Sequence, residues 1–206
     1  MKRLFFTLFL AAALLTGCGS KETEQPVQPE QPSQQEPQTP EETPSQQEVS
    51  LPEVQLVLSS GAGGWATVLD LSADGSFTGN YHDSEMGAIG EDYPNGTCYV
   101  STFSGRFGQP ETAEDGHLVL PLEELTTERE PGASWIEDGI YYVPVEPFGL
   151  ENTRELTLFG PETSVEGLPE ELLNWWPGRW EEPAPETLGS WCLWNEAEQL
   201  AFFSYE

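Results

Sequence analysis

The residues with the most to offer chemically fall in one short stretch. His82-Asp83-Ser84-Glu85, followed by Glu91-Asp92 and Tyr93, supplies an imidazole, four carboxylates and a phenol. Carboxylate oxygens at that density suit a hard cation such as calcium, while His82, Asp83 and Tyr93 suit the polar entrance of a ligand site. The spacing predicts that they share one long loop, and loops of that length usually serve a function. The simpler reading is a solvated acidic loop fixed by Tyr93-Pro94.

Aromatic residues form the second constellation. Seven tryptophans invite stacking on sugar rings, and Trp175-Trp176-Pro177-Gly178-Arg179-Trp180 is the densest group, with Trp65 and Trp135 able to join it. Aromatics in a small β domain more often fill a core or cover a barrel mouth. A third pattern, Asp70-Leu71-Ser72-Ala73-Asp74-Gly75, imitates the start of a calcium loop but has Tyr81 where the bidentate glutamate should stand, so a hairpin turn is the better reading.

Catalytic signals are scarce. The chain has no Gly-x-Ser-x-Gly elbow, no His-Glu-x-x-His and no phosphate-binding glycine loop. His82 and His117 are its two imidazoles, and His117, after Asp115-Gly116, is expected to be exposed at a strand start. Carboxylate pairs for glycoside hydrolysis meet in space rather than in sequence, so the pattern is silent on them. The expectation is a non-enzymatic protein with no cofactor and no metal.

Short alternating or β-branched segments must position these side chains. The pattern predicts strands over 54–59, 65–71, 76–82, 97–107, 116–122, 139–145, 154–159, 190–194 and 200–205. Ala73-Asp74-Gly75-Ser76 and Asn195-Glu196-Ala197-Glu198 read as turns between them. One short helix is predicted over 168–176, with Pro169 in its first turn and Pro177-Gly178 stopping it. The fold expected is all-β, a single antiparallel up-and-down barrel with one short helix; a β-sandwich is the alternative. Phe77-Thr78-Gly79-Asn80-Tyr81 and Phe103-Ser104-Gly105-Arg106-Phe107 favour the barrel, because aromatics flanking a glycine on one face suit a curved sheet. The meander resembles the lipocalin-like (calycin) barrels, with Gly64-Trp65 the nearest match to that family's opening Gly-x-Trp motif. The resemblance implies an internal ligand cavity.

The first residues specify where such a domain works. Met1-Lys2-Arg3 precedes an apolar run from Leu4 to Leu15, too short to span about 30 Å of hydrocarbon, and then Thr16-Gly17-Cys18. Leu15-Thr16-Gly17-Cys18 resembles the lipobox of bacterial lipoproteins, which implies cleavage before Cys18 and acylation of that cysteine. Two or three acyl chains hold firmly where one holds weakly, at about 0.8 kcal/mol per buried methylene. Residues 1–17 are thus expected to be an export signal and 18–50 a lipidated cysteine with a tether of Pro, Gln, Glu, Ser and Thr. The tether lacks the apolar residues to fold and reaches up to about 90 Å if extended. Residues 51–206 would be the folded domain, on the outer face of the cytoplasmic membrane. The segments Gly61 to Trp65, Asp74 to Phe77, Tyr81 to Gly87 and Tyr93 to Thr97 also look like an uncharacterised group of lipoproteins from anaerobic Gram-positive bacteria; that resemblance implies a cell-surface lipoprotein and no particular activity.

Charge narrows the partners. With 7 basic against 36 acidic residues and a formal net charge of −29, the chain repels phosphate backbones, and nucleic acid is excluded as a partner. A small ligand or a cell-envelope component such as a cell-wall glycan is expected instead, with the membrane contacted through the lipid and the chain monomeric. Cys98 and Cys192 lie in a compartment that permits oxidation; a disulfide and two free thiols are both open.

Overall fold

The computed structural model describes residues 49–205. The expected export signal, Cys18 and all but the end of the expected tether lie outside the described residues.

Eleven strands form: β1 (Val54–Ser59), β2 (Trp65–Leu71), β3 (Ser76–Glu85), β4 (Thr97–Phe107), β5 (Glu111–Thr112), β6 (Leu118–Thr127), β7 (Trp135–Glu137), β8 (Ile140–Pro144), β9 (Glu155–Phe159), β10 (Cys192–Asn195) and β11 (Leu200–Phe203). Eight of them, β1-β2-β3-β4-β6-β9-β10-β11, pair antiparallel in chain order, and β11 returns to β1, closing the barrel. This is the single up-and-down barrel expected from the sequence, consistent with the lipocalin-like resemblance, and the sandwich is set aside.

The turns that make the meander are local chemistry. Gly75 takes a φ of 81°, and Asp74 Oδ1 accepts hydrogen bonds from the Ser76 amide (3.0 Å) and hydroxyl (2.6 Å). The resemblance to a calcium loop is therefore a hairpin turn. Arg106 fastens the same turn to β4 by donating to the Asp74 carbonyl at 3.0 Å.

Inward positions alternate with outward ones along β2, β3 and β4, as a barrel requires. Register sets them in rows. The lowest row holds Leu71, Phe77, Gly105 and Leu125, and the next Leu69, Gly79, Phe103 and Thr127. With Leu56, Leu120, Leu156, Leu158, Leu193 and Phe202 they fill the lower barrel with apolar side chains. That filling leaves the floor of the barrel a packed core rather than the internal cavity implied by the lipocalin resemblance.

A second core lies outside the wall. The outward residues Phe159, Cys192, Trp194, Ala201 and Phe203 are covered by Leu172, Trp176 and Leu188. β10 and β11 are consequently buried on both faces, so their sequences read as continuous apolar runs. The covering segment carries a single-turn helix, α1 (Glu170–Leu173), and a 3-10 turn at Pro177–Trp180. The helix is shorter than the predicted 168–176, and Pro177 opens the 3-10 turn instead of only stopping a helix, because its fixed φ suits a first helical position.

Other differences follow from pairing. β3 runs to Glu85 because β4 pairs with it as far as Thr97, so His82 to Glu85 belong to a strand rather than a loop. β7 and β8 form a hairpin whose second strand lies parallel to the first half of β4. Cys98 and Cys192 are both free thiols. His117 is half-buried rather than exposed, its ring 5.1 Å from that of Phe159 and its Nδ1 2.5 Å from Asp115 Oδ1. Among the described residues no helix is long and apolar enough to cross a membrane.

Candidate functional site

Above the apolar rows the barrel changes character. The third row sets Thr67, Tyr81 and Ser101 side by side, and the fourth Trp65, Asp83, Tyr99 and Val143. Strand alternation alone brings these polar and aromatic groups to the inner face at one end of the barrel.

A loop over residues 147–153 folds into that end. Its Phe148 carbonyl accepts from Thr67 Oγ1 at 2.8 Å, and its Gly149 carbonyl from the buried Asn195 amide at 2.9 Å. Asn195 also reaches Thr153 Oγ1 at 2.6 Å. Gly149, with φ of 90°, is required here: a Cβ would stand 2.7 Å from Leu58 Cδ2 and 2.9 Å from Phe202 Cζ. The loop thereby sets the Phe148 ring 6.0 Å from Tyr81 and 5.3 Å, edge-on, from Trp65.

Two buried polar atoms have no partner here, one at this mouth and one on the 147–153 loop. Ser101 is 6% exposed and its Oγ makes no hydrogen bond; the Glu151 Oε2 is likewise buried and unbonded. Burial, then the charges of Asp83 and Glu151, raise the Tyr81 phenol from 10.0 to about 12. Tyr81, Asp83, Ser101 and Tyr99 thus form one polar constellation above an apolar floor, while Glu151 lines a hollow beside Leu122 to Leu125 and Glu146.

The sequence-predicted residues divide around this site. Trp65 and Asp83 stand opposite each other within it. Trp175 joins its edge, 6.2 Å from Trp65, with Nε1 donating to the Gln199 carbonyl at 2.9 Å. His82, one residue from Asp83, faces outward beside Ala66 and Val100. Tyr93 packs on Tyr141 at 5.1 Å. Trp135 stacks on Tyr142 at 4.9 Å under the Arg129 guanidinium, on the same outward face as Cys98. Trp176 is buried in the outer core and donates to the Leu188 carbonyl at 2.9 Å. Trp180, by contrast, is 82% exposed. The tryptophans therefore make no single stacking platform.

No family model, curated protein or solved structure matches this chain. The site must be read from its own chemistry. Among the described residues no group of three or more His, Cys, Asp or Glu side chains is placed to hold a metal ion. Tyr81, Ser101, Phe148 and Glu151 escape the sequence reading. Only Tyr81 left a trace in the chain, as the second aromatic of the Phe77-x-Gly79-x-Tyr81 pattern.

Proposed function

We propose that this chain is a lipid-anchored, extracytoplasmic and non-enzymatic binding module that takes a small ligand at the mouth of its barrel. The observation that carries the reading is Ser101: a hydroxyl without a hydrogen-bond partner, on a residue 6% exposed, in the row of Tyr81. A buried polar group left unpaired costs about 1–3 kcal/mol, and where a fold retains one a ligand or water explains it. The packed floor restricts that ligand to the upper rows. The anchor rests on the lipobox-like Leu15-Thr16-Gly17-Cys18.

Thermal melting of the full chain in detergent, against simple amines, sugars and peptidoglycan fragments, tests the site. Ser101→Ala should melt no lower than wild type and lose the ligand-induced rise. Equal rises in both proteins would remove the mouth from consideration. The anchor has its own test: Cys18→Ala should leave the membrane fraction, and mature protein that lacks acyl mass would defeat it.

A further inference from the structure

We infer that a surface hollow lined by Glu171, Asn174, Trp175 and Gln199 takes one neutral sugar ring. This site goes beyond the Ser101 reading and does not rest on it.

The hollow measures about 310 Å³, at the small end for a ligand site. Glu171 belongs to α1, Asn174 and Trp175 follow it, and Gln199 ends the loop that joins β10 to β11. The indole of Trp175 is held in place: its Nε1 donates to the Gln199 carbonyl at 2.9 Å, and its ring meets Trp65 edge-on at 6.2 Å. A half-buried tryptophan fixed on two sides offers the hollow a rigid apolar surface.

Gln199 carries the argument further. Its φ is 56°, in the left-handed region that glycine occupies freely and that side chains other than asparagine, aspartate and histidine seldom adopt. A glycine there would serve the turn and give Trp175 the same carbonyl. Asn195 Oδ1 already organises the loop by accepting from the Glu198 amide at 3.2 Å. What the glutamine adds is a side chain on the hollow, and residues kept against such a backbone preference cluster at ligand clamps.

The lining chooses among ligands. Arg179 donates to Asn174 Oδ1, which leaves the Asn174 amide nitrogen to donate; the Glu171 carboxylate accepts, and Gln199 does both. A ring bearing several hydroxyls meets that mixture while its C–H face lies on the indole. A cation is opposed by the Arg179 guanidinium bonded to Asn174. An anion is opposed by Glu171 and by Glu170 and Glu198, which adjoin lining residues in the chain. A wholly apolar occupant would strip three polar side chains of water and return no hydrogen bond.

Nuclear magnetic resonance of the full chain in detergent, with nitrogen-labelled tryptophan, reads the Trp175 indole N–H, which Trp175→Phe identifies by its loss. The probes are methyl glucoside, methyl galactoside, methyl mannoside and N-acetylglucosamine, with glucuronate and choline as charged controls. At least one neutral sugar should shift that signal and neither control should. Gln199→Gly should melt no lower than wild type and bind that sugar about tenfold more weakly, as should Asn174→Ala, whereas Ser101→Ala should bind it as wild type does. No shift with any neutral sugar, an equal shift with glucuronate or choline, or wild-type affinity in Gln199→Gly would each overturn the inference. A sugar that Ser101→Ala fails to bind and Gln199→Gly still binds would overturn this site while leaving the mouth as the binding site.

Discussion

Phe103 lies directly opposite Gly79 on the neighbouring strand, and its ring occupies the space a side chain at Gly79 would need. Phe77 does the same for Gly105. The two aromatic-glycine pairs are reciprocal, and they let β3 and β4 bend around a narrow, filled floor. Edge-on packing of Phe77 on Phe103 at 6.4 Å joins them.

Gly79→Ala should destabilise the domain by about 1–3 kcal/mol, because the added methyl meets both the Phe103 ring and the Val68 carbonyl oxygen. Gly105→Ala should do likewise against Phe77 and the Glu124 carbonyl. Urea unfolding measures both. Unchanged midpoints would mean that the rings are not seated on the glycines.

Asn195→Ala should release the loop over 147–153 from the mouth. It strips the Gly149 carbonyl and the Thr153 hydroxyl of their donor, at a cost of about 1–3 kcal/mol. Hydrogen exchange should quicken in that loop first and in β2 next, through Thr67. Protection of the loop equal to wild type would refute its dependence on Asn195.

The Tyr81 phenol gives a pH signature. Burial and the neighbouring carboxylates place its folded-state value at about 12, above the ordinary 10.0. A group raised on folding keeps its proton longer in the native state, so its contribution is complete below about 10 and disappears as pH climbs through about 12. Alkaline absorbance titration should find one late phenol, absent in Tyr81→Phe, and the variant should lose less stability across that window. A late phenol persisting in Tyr81→Phe would assign the signal elsewhere.

The two thiols of the barrel should react unequally. Cys98 is half-buried on the outer wall near Ser84 Oγ (3.8 Å), whereas Cys192 is fully buried and burial pushes its thiol up. Native alkylation followed by mass spectrometry should label Cys98 alone, and unfolding should expose both. A Cys98–Cys192 crosslink in the untreated protein would contradict the free thiols.

Much of the barrel was legible because local chemistry and register agreed. β1, β2 and β4 begin and end where alternation places them, the Asp74-Gly75 turn forms as its residue types demand, and the aromatic-x-Gly-x-aromatic segments pair as a curved sheet requires. The site was less legible. His82-Asp83-Ser84-Glu85 is polar enough to read as a loop, and β4 alone keeps it extended, sending Asp83 inward and His82 outward. Of the adjacent pair, Trp176 is buried in the outer core while Trp175 bridges that core and the barrel edge beside Trp65, which composition does not foretell. Ser101 and Glu151 carried no signal at all: one serine in a strand and one carboxylate among 36 acids acquire meaning only from what surrounds them.

β4 changes neighbours along its length, with β8 beside Thr97 to Val100 and β6 beside Phe103 to Phe107, and Ser101 sits at the fork. The β7–β8 hairpin pairs with the first half of that strand, while the second half closes the cylinder against β6. An occupant that reaches Ser101 braces the strand that hairpin and cylinder share, so relaxation measurements on β7–β8 and the melting curve should respond together.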